Sequence, residues 1–190
     1  MKAIVFLGDG FEECEALITV DILRRAGIDT LMASVMDRLT VESSRNIKVR
    51  ADIMAEDVDF KDVDLIVLPG GRGGTENLGK SNIVREKCVE FADKNSGKYV
   101  AAICAAPSLL AELGLLEDKK ATCHPDFECK MEGAVLTGES VIKDENIITG
   151  QGLGASFEFS FKLVELLVNK EKADNIKAAI CYKETVRKSL

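Results

Sequence analysis

Tyr99-Val-Ala-Ala-Ile-Cys104-Ala-Ala-Pro-Ser-Leu-Leu-Ala-Glu-Leu113 carries an apolar, strand-like run directly into a cysteine, and a helical pattern begins directly after it. That order places a thiol at the carboxyl end of a strand and the amino end of a helix. Unpaired backbone N–H groups and the positive end of the helix dipole both favour a thiolate there. The small residues Ala102, Ala105 and Ala106 let the chain turn sharply with the sulfur exposed, as in the nucleophile elbow of hydrolases. The plain alternative is a buried structural cysteine, since free Cys is among the most buried residue types.

Outward from this stretch, strand and helix patterns alternate. Residues 2–8 are a continuous apolar run, expected of a strand buried on both faces. A helix is expected over 11–26 with Gly27 as its C-cap, and a second strand near 29–35. Short alternating segments over 40–56, around Arg45-Asn46, suggest an antiparallel excursion. Asp64-Leu-Ile-Val-Leu68 reads as another buried strand ending at Pro69-Gly70-Gly71, followed by a helix over 81–95, a strand over 99–103 and a helix over 105–113. A strand is expected before His124, a short helix or turn over 125–131, and a hairpin over 134–149 turning at Asp144-Glu145-Asn146. Gly150–Gly154 then leads into a helix over 155–168, with a weaker helix over 170–179. Residues 1–190 are thus expected to form one doubly wound α/β domain, whose sites lie at the carboxyl ends of strands.

The chain has 190 residues, enough for one such domain with a full core. Its 25 basic and 32 acidic residues give a net charge of −7, and no basic stripe is visible, which argues against nucleic-acid or anionic-membrane partners. The apolar start, Met1 to Leu7, is short and runs into Asp9, Glu12 and Glu13, so it reads as a strand rather than a signal sequence. No stretch approaches the ~20 apolar residues of a membrane span. A cytoplasmic location is the expectation. The six cysteines, at 14, 88, 104, 123, 129 and 181, lie irregularly and are expected as thiols. Cys123-His124 with Cys129 invites a metal reading, but one histidine and no CxxC leave too few ligands at the usual spacing, so no metal is expected.

Several residues are placed to share a site with Cys104. Stepping by three and four from Glu15 gives Ile18, Thr19, Ile22 and Ala26, a mostly apolar stripe headed by a carboxyl group. An inward carboxyl is costly unless protonated or hydrogen-bonded; the alternative is a helix-edge Glu15 reaching water. Glu12 and Glu13 read as first-turn acids favoured by the dipole. His124 is the sole imidazole and so the default general acid–base near neutrality, or else a satisfied histidine capping a turn before Pro125. Gly70-Gly71 permits close approach of backbone N–H groups to a substrate oxygen, or marks an ordinary tight turn. Gly74-Thr-Glu-Asn-Leu-Gly79-Lys80-Ser81 fits the phosphate-loop pattern. It begins five residues beyond its strand and carries Glu76 inside the would-be cradle, so it reads as a chance match. Gly150-x-Gly152-x-Gly154 is weaker still.

Taken together, Glu12-Glu13-Cys14-Glu15, Leu68-Pro69-Gly70-Gly71, Ala102-Ile103-Cys104-Ala105-Ala106-Pro107, His124-Pro125 and Ser156-Phe157-Glu158 come in an ordered set. In these motifs, from Met1 to about residue 170, the chain closely resembles the Parkinson-disease deglycase family of the PfpI-type, glutamine-amidotransferase-like superfamily. The resemblance implies a flavodoxin-like three-layer α/β sandwich, a mostly parallel sheet with a nucleophile elbow, and a homodimer formed partly through the first helix. It implies that Cys104 is the nucleophile and that Glu15 is a protonated carboxyl hydrogen-bonding the thiolate and holding its pKa down. His124 becomes a nearby site residue, the backbone amides of Gly71 and Ala105 the oxyanion donors beside Gly70, and Arg45 a pocket-lining arginine. Arg25 falls near the dimer contact.

Departures narrow the chemistry. Ala105 follows the cysteine where the protease-like branch carries histidine, so an adjacent Cys-His pairing is absent. The amidotransferases flank their cysteine with glycines and use a late His-x-Glu; here Ile103 and Ala105 flank it and Pro125-Asp126 follow His124, which argues against glutamine hydrolysis. Gln151 stands where relatives often have arginine, weakening any anion pocket. The resemblance implies a cofactor-independent enzyme acting on a small dicarbonyl, or on glycated thiols or amines, to release a hydroxy acid. The competing expectation is an oxidative-stress sensor or chaperone in which Cys104 is oxidised to a sulfinate with little turnover.

Overall fold

Three apolar runs alternate their side chains between two helical layers, and that alternation builds the molecule. The computed structural model describes residues 1–183. β1 (Lys2–Leu7) leads to α1 (Glu13–Arg25) and β2 (Asp29–Ser34), followed by a hairpin of β3 (Thr40–Glu42) and β4 (Lys48–Arg50) and a short β5 (Ile53–Met54). β6 (Leu65–Leu68), α2 (Arg72–Lys80) and α3 (Asn82–Ala92) come next, then β7 (Tyr99–Ile103) and α4 (Pro107–Glu112). β8 (Lys120–Ala121), a 3-10 turn over Pro125–Lys130, β9 (Val135–Leu136), β10 (Val141–Asp144) and β11 (Ile147–Gly150) precede α5 (Ser156–Leu167) and α6 (Lys170–Ala179).

The main sheet has the order β10-β11-β7-β6-β1-β2-β5. All neighbours run parallel except β10, which pairs antiparallel with β11. From β1 the chain passes to β2 on one side and then returns to β6 on the other. This is a topological switch point, where a crevice opens at the carboxyl ends of the strands. Ala3, Val5 and Leu7 of β1, Leu65 and Val67 of β6, and Ala101 and Ile103 of β7 pack on one face against α1, α5 and α6. Ile4, Phe6, Ile66, Leu68, Val100 and Ala102 face the other way, against α2, α3 and α4. Strands covered on both faces have no solvent side, which is why they read as continuous apolar runs. The result is a flavodoxin-like three-layer sandwich.

The structure differs from the sequence reading at several elements. A helix forms over Arg72–Lys80, where none was expected, because Leu78 and Thr75 alone anchor it and three glycines obscure the periodicity. The following helix is shorter than 81–95, with Ser81 capping it through a bond from the Val84 N–H. Over 134–149 only the second half is a hairpin in the main sheet, turning at Glu145-Asn146; β9 instead pairs parallel with β8 in a separate two-stranded sheet. The 40–56 excursion is an antiparallel hairpin, as expected, but its end rejoins the main sheet as β5. Residues 184–190 of the expected domain lie outside the described residues.

The α3 layer can be tested directly. Phe91 is fully buried and meets Phe60 edge-on at 6.5 Å between ring centres. Phe91→Ala is expected to cost about 3–5 kcal/mol of unfolding free energy, read from urea denaturation.

Candidate active site

The crevice is assembled from the ends of β1, β6 and β7. Cys104 follows β7 directly and has φ 65, a left-handed conformation that costs a non-glycine residue about 1–2 kcal/mol. Two main-chain bonds hold it there: the Cys104 N–H donates to Gly150 O at 2.9 Å, and the His124 N–H donates to Cys104 O at 2.9 Å. Ala105 and Ala106 are fully buried, so a larger residue there would disturb the turn. α4 starts only at Pro107 and is six residues long, not the expected 105–113. The field of a long helix is thus absent at the thiol, and the main-chain amides of Gly71 and Ala105 are the groups that favour its anion.

Glu15 lies opposite, in the first turn of α1, fully buried. Its Oε2 accepts from the Gly70 N–H at 2.8 Å, and its carboxyl faces the Cys104 side chain across Gly70, close enough for the two to influence each other's protonation. Oε1 is buried without a hydrogen bond of regular geometry, an arrangement that suits a carboxylic acid better than a carboxylate. The alternative of a helix-edge Glu15 in water is thereby overturned. Gly70 must be glycine: a Cβ there would stand 2.6 Å from Cys104 Cβ and 2.7 Å from Glu15 Oε2. Gly71 has φ 83, and a Cβ there would collide with Gly10 O. The Gly70 N–H is committed to Glu15, so of the amides in this turn it is not one that faces the sulfur.

Burial pushes Glu15 up to about 7, opposed by its bonds from Cys104 and Gly70. Burial also pushes the Cys104 thiol up to about 12, helped by the charge and hydrogen bond of Glu15 and opposed by the Gly71 and Ala105 amides. The expected depressed thiol is therefore conditional. With Glu15 charged, two anions would share one dry contact, and the thiol keeps its proton. With the proton on Glu15, the repulsion vanishes and a donor replaces it, leaving the two amides to stabilise sulfur.

The remaining site residues are dispersed. His124 adjoins Cys104 through its main chain, but its Nδ1 accepts from the Asp126 N–H at 3.3 Å, capping the turn at Pro125. The rest of the imidazole is half exposed. Arg45 sits exposed on the β3–β4 turn, where its charge acts on Glu13. Arg25 forms a surface pair with Asp21 at 2.6 Å, and the Gln151 side chain reaches Gly138 O at 3.5 Å. Among the described residues, no three His, Cys, Asp or Glu side chains are grouped to hold a metal ion, and no helix is long and apolar enough to cross a membrane.

Gly74–Lys80 of the phosphate-loop match lie inside α2, so their backbone amides are not splayed into a cradle. That helix instead walls a cleft of about 920 Å³ with α4 and the 125–130 turn, lined by Arg72, Thr75, Ser108, Phe127 and Lys130 but not by Cys104. Glu12 is the residue whose role the sequence reading missed. It is the N-cap of α1, its Oε2 accepting from the Glu15 N–H at 2.7 Å, while its own N–H donates to Gly70 O at 3.0 Å. Glu13, read like Glu12 as a first-turn acid favoured by the dipole, does lie in the first turn of α1, where it is buried and bonded by Ser44 at 3.3 Å. The Glu-x-x-Glu spacing at a helix start was the available signal, but Glu is an uncommon N-cap.

Fold and crevice together define an α/β protein with a strained cysteine facing a buried carboxyl. Residues 1–166 match the DJ-1/PfpI family, and the chain belongs to it. Protein dj-1beta of Drosophila melanogaster is 35% identical over 177 residues, 92% of this chain and 94% of its own. The Caenorhabditis elegans glutathione-independent glyoxalase DJR-1.2 is 31% identical over 172 residues, 90% of each. Oxidised DJ-1 from Toxoplasma gondii superposes with a TM-score of 0.90 at 35% identity, over 96% of this chain and 99% of that one.

Two outcomes follow from the geometry. Gly70→Ala is expected to destabilise the protein by about 1–3 kcal/mol and to abolish selective alkylation of Cys104, measured by urea unfolding and peptide mass analysis. The second concerns pH. Because the folded Glu15 binds its proton up to about 7 whereas the unfolded carboxyl releases it near 4.5, unfolding free energy should fall as pH rises through that window. Between pH 5 and 7 the loss is about 2 kcal/mol, and Glu15→Gln should remove that part of the slope in urea titrations at those two pH values.

Proposed function

We propose that the protein is a cofactor-independent glyoxalase or deglycase acting on small reactive dicarbonyls, with Cys104 as nucleophile. The observation that carries this reading is the contact of one buried carboxyl, Glu15, with a turn-held thiol flanked by the Gly71 and Ala105 amides. The name of the Caenorhabditis elegans relative, a glutathione-independent glyoxalase, supports it.

With the proton on Glu15, the Cys104 thiolate attacks the aldehyde carbon of methylglyoxal. A C–S bond forms, and the carbonyl oxygen takes up negative charge between the two amides before receiving a proton. The hemithioacetal loses its C1 proton to Glu15, ionised once it has protonated that oxygen, and regains a proton at C2. That isomerisation gives a thioester of lactate. Water then cleaves the C–S bond, returning the thiol, so methylglyoxal plus water becomes lactate with no external electron donor. An adduct on a thiol or amine would enter the same sequence with that group as leaving group. The strained Cys104 turn serves as a nucleophile elbow in this reading.

In the same proposal, residues 1–190 act as one domain and pair into a homodimer partly through α1, which exposes Leu17. The site is proposed to work in the cytoplasm. A second reading, oxidation of Cys104 to a sulfinate as a stress signal, is favoured by Oε1 of Glu15, a buried group without a regular partner beside the sulfur. Conversion of methylglyoxal to lactate without glutathione separates the two. Wild type should turn over and Cys104→Ala should fall to background, a loss of at least about 10²-fold. Equal activity in both proteins would overturn the glyoxalase reading.

A further inference from the structure

Three hydrogen bonds close a circuit at the switch point. Glu12 N–H reaches Gly70 O at 3.0 Å, Gly70 N–H reaches Glu15 Oε2 at 2.8 Å, and Glu15 N–H returns to Glu12 Oε2 at 2.7 Å. Each peptide group of the Gly70 turn is thus tied to one of the two glutamates. As an N-cap, Glu12 satisfies an orphan amide, a job that Ser, Thr, Asp or Asn does more commonly and with a shorter side chain. Among the described residues no cation forms an ion pair with it, so its half-buried carboxylate brings an uncompensated negative charge to the foot of Glu15.

We propose that Glu12 is a positioning residue that biases the proton shared by Glu15 and Cys104 toward Glu15, and so toward the reactive thiolate. The inference rests on the Glu15–Cys104 pairing of the proposed function. Glu12 Oε2 accepts from the Glu15 N–H at 2.7 Å, so its charge stands against Glu15 and opposes ionisation of that carboxyl, and among the described residues no hydrogen bond joins Glu12 to Cys104. A negative charge nearer one member of a proton-sharing pair favours the state in which that member is neutral. The neutral member is Glu15, and the sulfur is left charged.

Other ionisable groups around the pair do not take this place. On α1, Glu13 is engaged by Ser44 and by the charge of Arg45 from the β3–β4 turn, and Cys14 points outward. Arg72 at the start of α2 stacks over Phe127 at 5.4 Å. Beyond β8, His124 and Asp126 are joined to each other. α5 meets α1 at this level through neutral hydroxyls, with Ser160 Oγ 3.1 Å from Thr19 Oγ1.

The test is the pH profile of iodoacetamide alkylation at Cys104, followed on its peptide by mass analysis, for wild type, Glu12→Gln and Glu12→Asp. Gln keeps an acceptor for the Glu15 N–H and removes the charge; Asp keeps the charge and is itself a good cap. Near neutral pH the Glu12→Gln rate is expected to fall about threefold with its thermal unfolding midpoint little changed, and Glu12→Asp is expected to follow wild type. Superimposable profiles for wild type and Glu12→Gln would overturn the proposal, leaving Glu12 a cap only, as would Glu12→Asp moving with Glu12→Gln. Methylglyoxal turnover is measured in parallel. Its absence in wild type sinks the glyoxalase reading, while the alkylation profiles still decide the role of Glu12.

Discussion

The bond from the Gly70 amide to the Glu15 carboxyl is the constraint on which the crevice depends. It crosses the switch point, joining the turn after β6 to the first turn of α1, and it fixes which way a fully buried acid faces. Remove it and Glu15 has no strong partner in a dry pocket, an arrangement that costs several kcal/mol on the order expected for an uncompensated buried polar group. The absence of a side chain at Gly70 follows from the same contact, since Cys104 and Glu15 both occupy the space a Cβ would need. The thiol, the acid and the turn are therefore one packing unit.

That unit, more than any helix dipole, sets the electrostatics of the cysteine: burial and the acid hold its proton on, and the amides oppose them. α4 is short and begins beyond the alanines, so the field at the sulfur comes mainly from two amides and one acid. Amides favour the anion at all pH values. The acid favours it only when protonated, and opposes it otherwise. On the proposed reading, reactivity is governed by where one proton rests rather than by a property of the thiol itself, and titration of either group reports on both.

Much of this was legible in the chain. β1, β6 and β7 are apolar on both faces because helices cover both, and continuous runs with turn residues at their ends reveal such strands directly. The inward direction of Glu15 was readable from the apolar stripe behind it, Thr19 and Ile22. α2 was not, because a helix with Gly73, Gly74 and Gly79 is held by the β6 turn and by Leu78 rather than by any propensity of its own. β9 was misplaced because pairing of two-residue strands is decided by tertiary contacts that leave no periodicity. The capping role of Glu12 was hidden for a similar reason: its partners, Gly70 O and the Glu15 N–H, are main-chain atoms. The family likeness located Cys104 and Glu15 together, but proton placement between them depends on distances no motif encodes.

The pinned backbone of Cys104 has one more consequence. Its amide is held by β11 and its carbonyl by the loop carrying His124, so the residue is clamped at both ends while its sulfur alone projects into the crevice. A cysteine on a mobile loop can retreat when something is added to it. Here the frame stays put, and any adduct must be accommodated by rotation about a single side-chain bond against the wall formed by Gly70 and Glu15. The clamp separates the two halves of the residue: its backbone is part of the sheet and its neighbouring loop, and only the side chain is left to adjust.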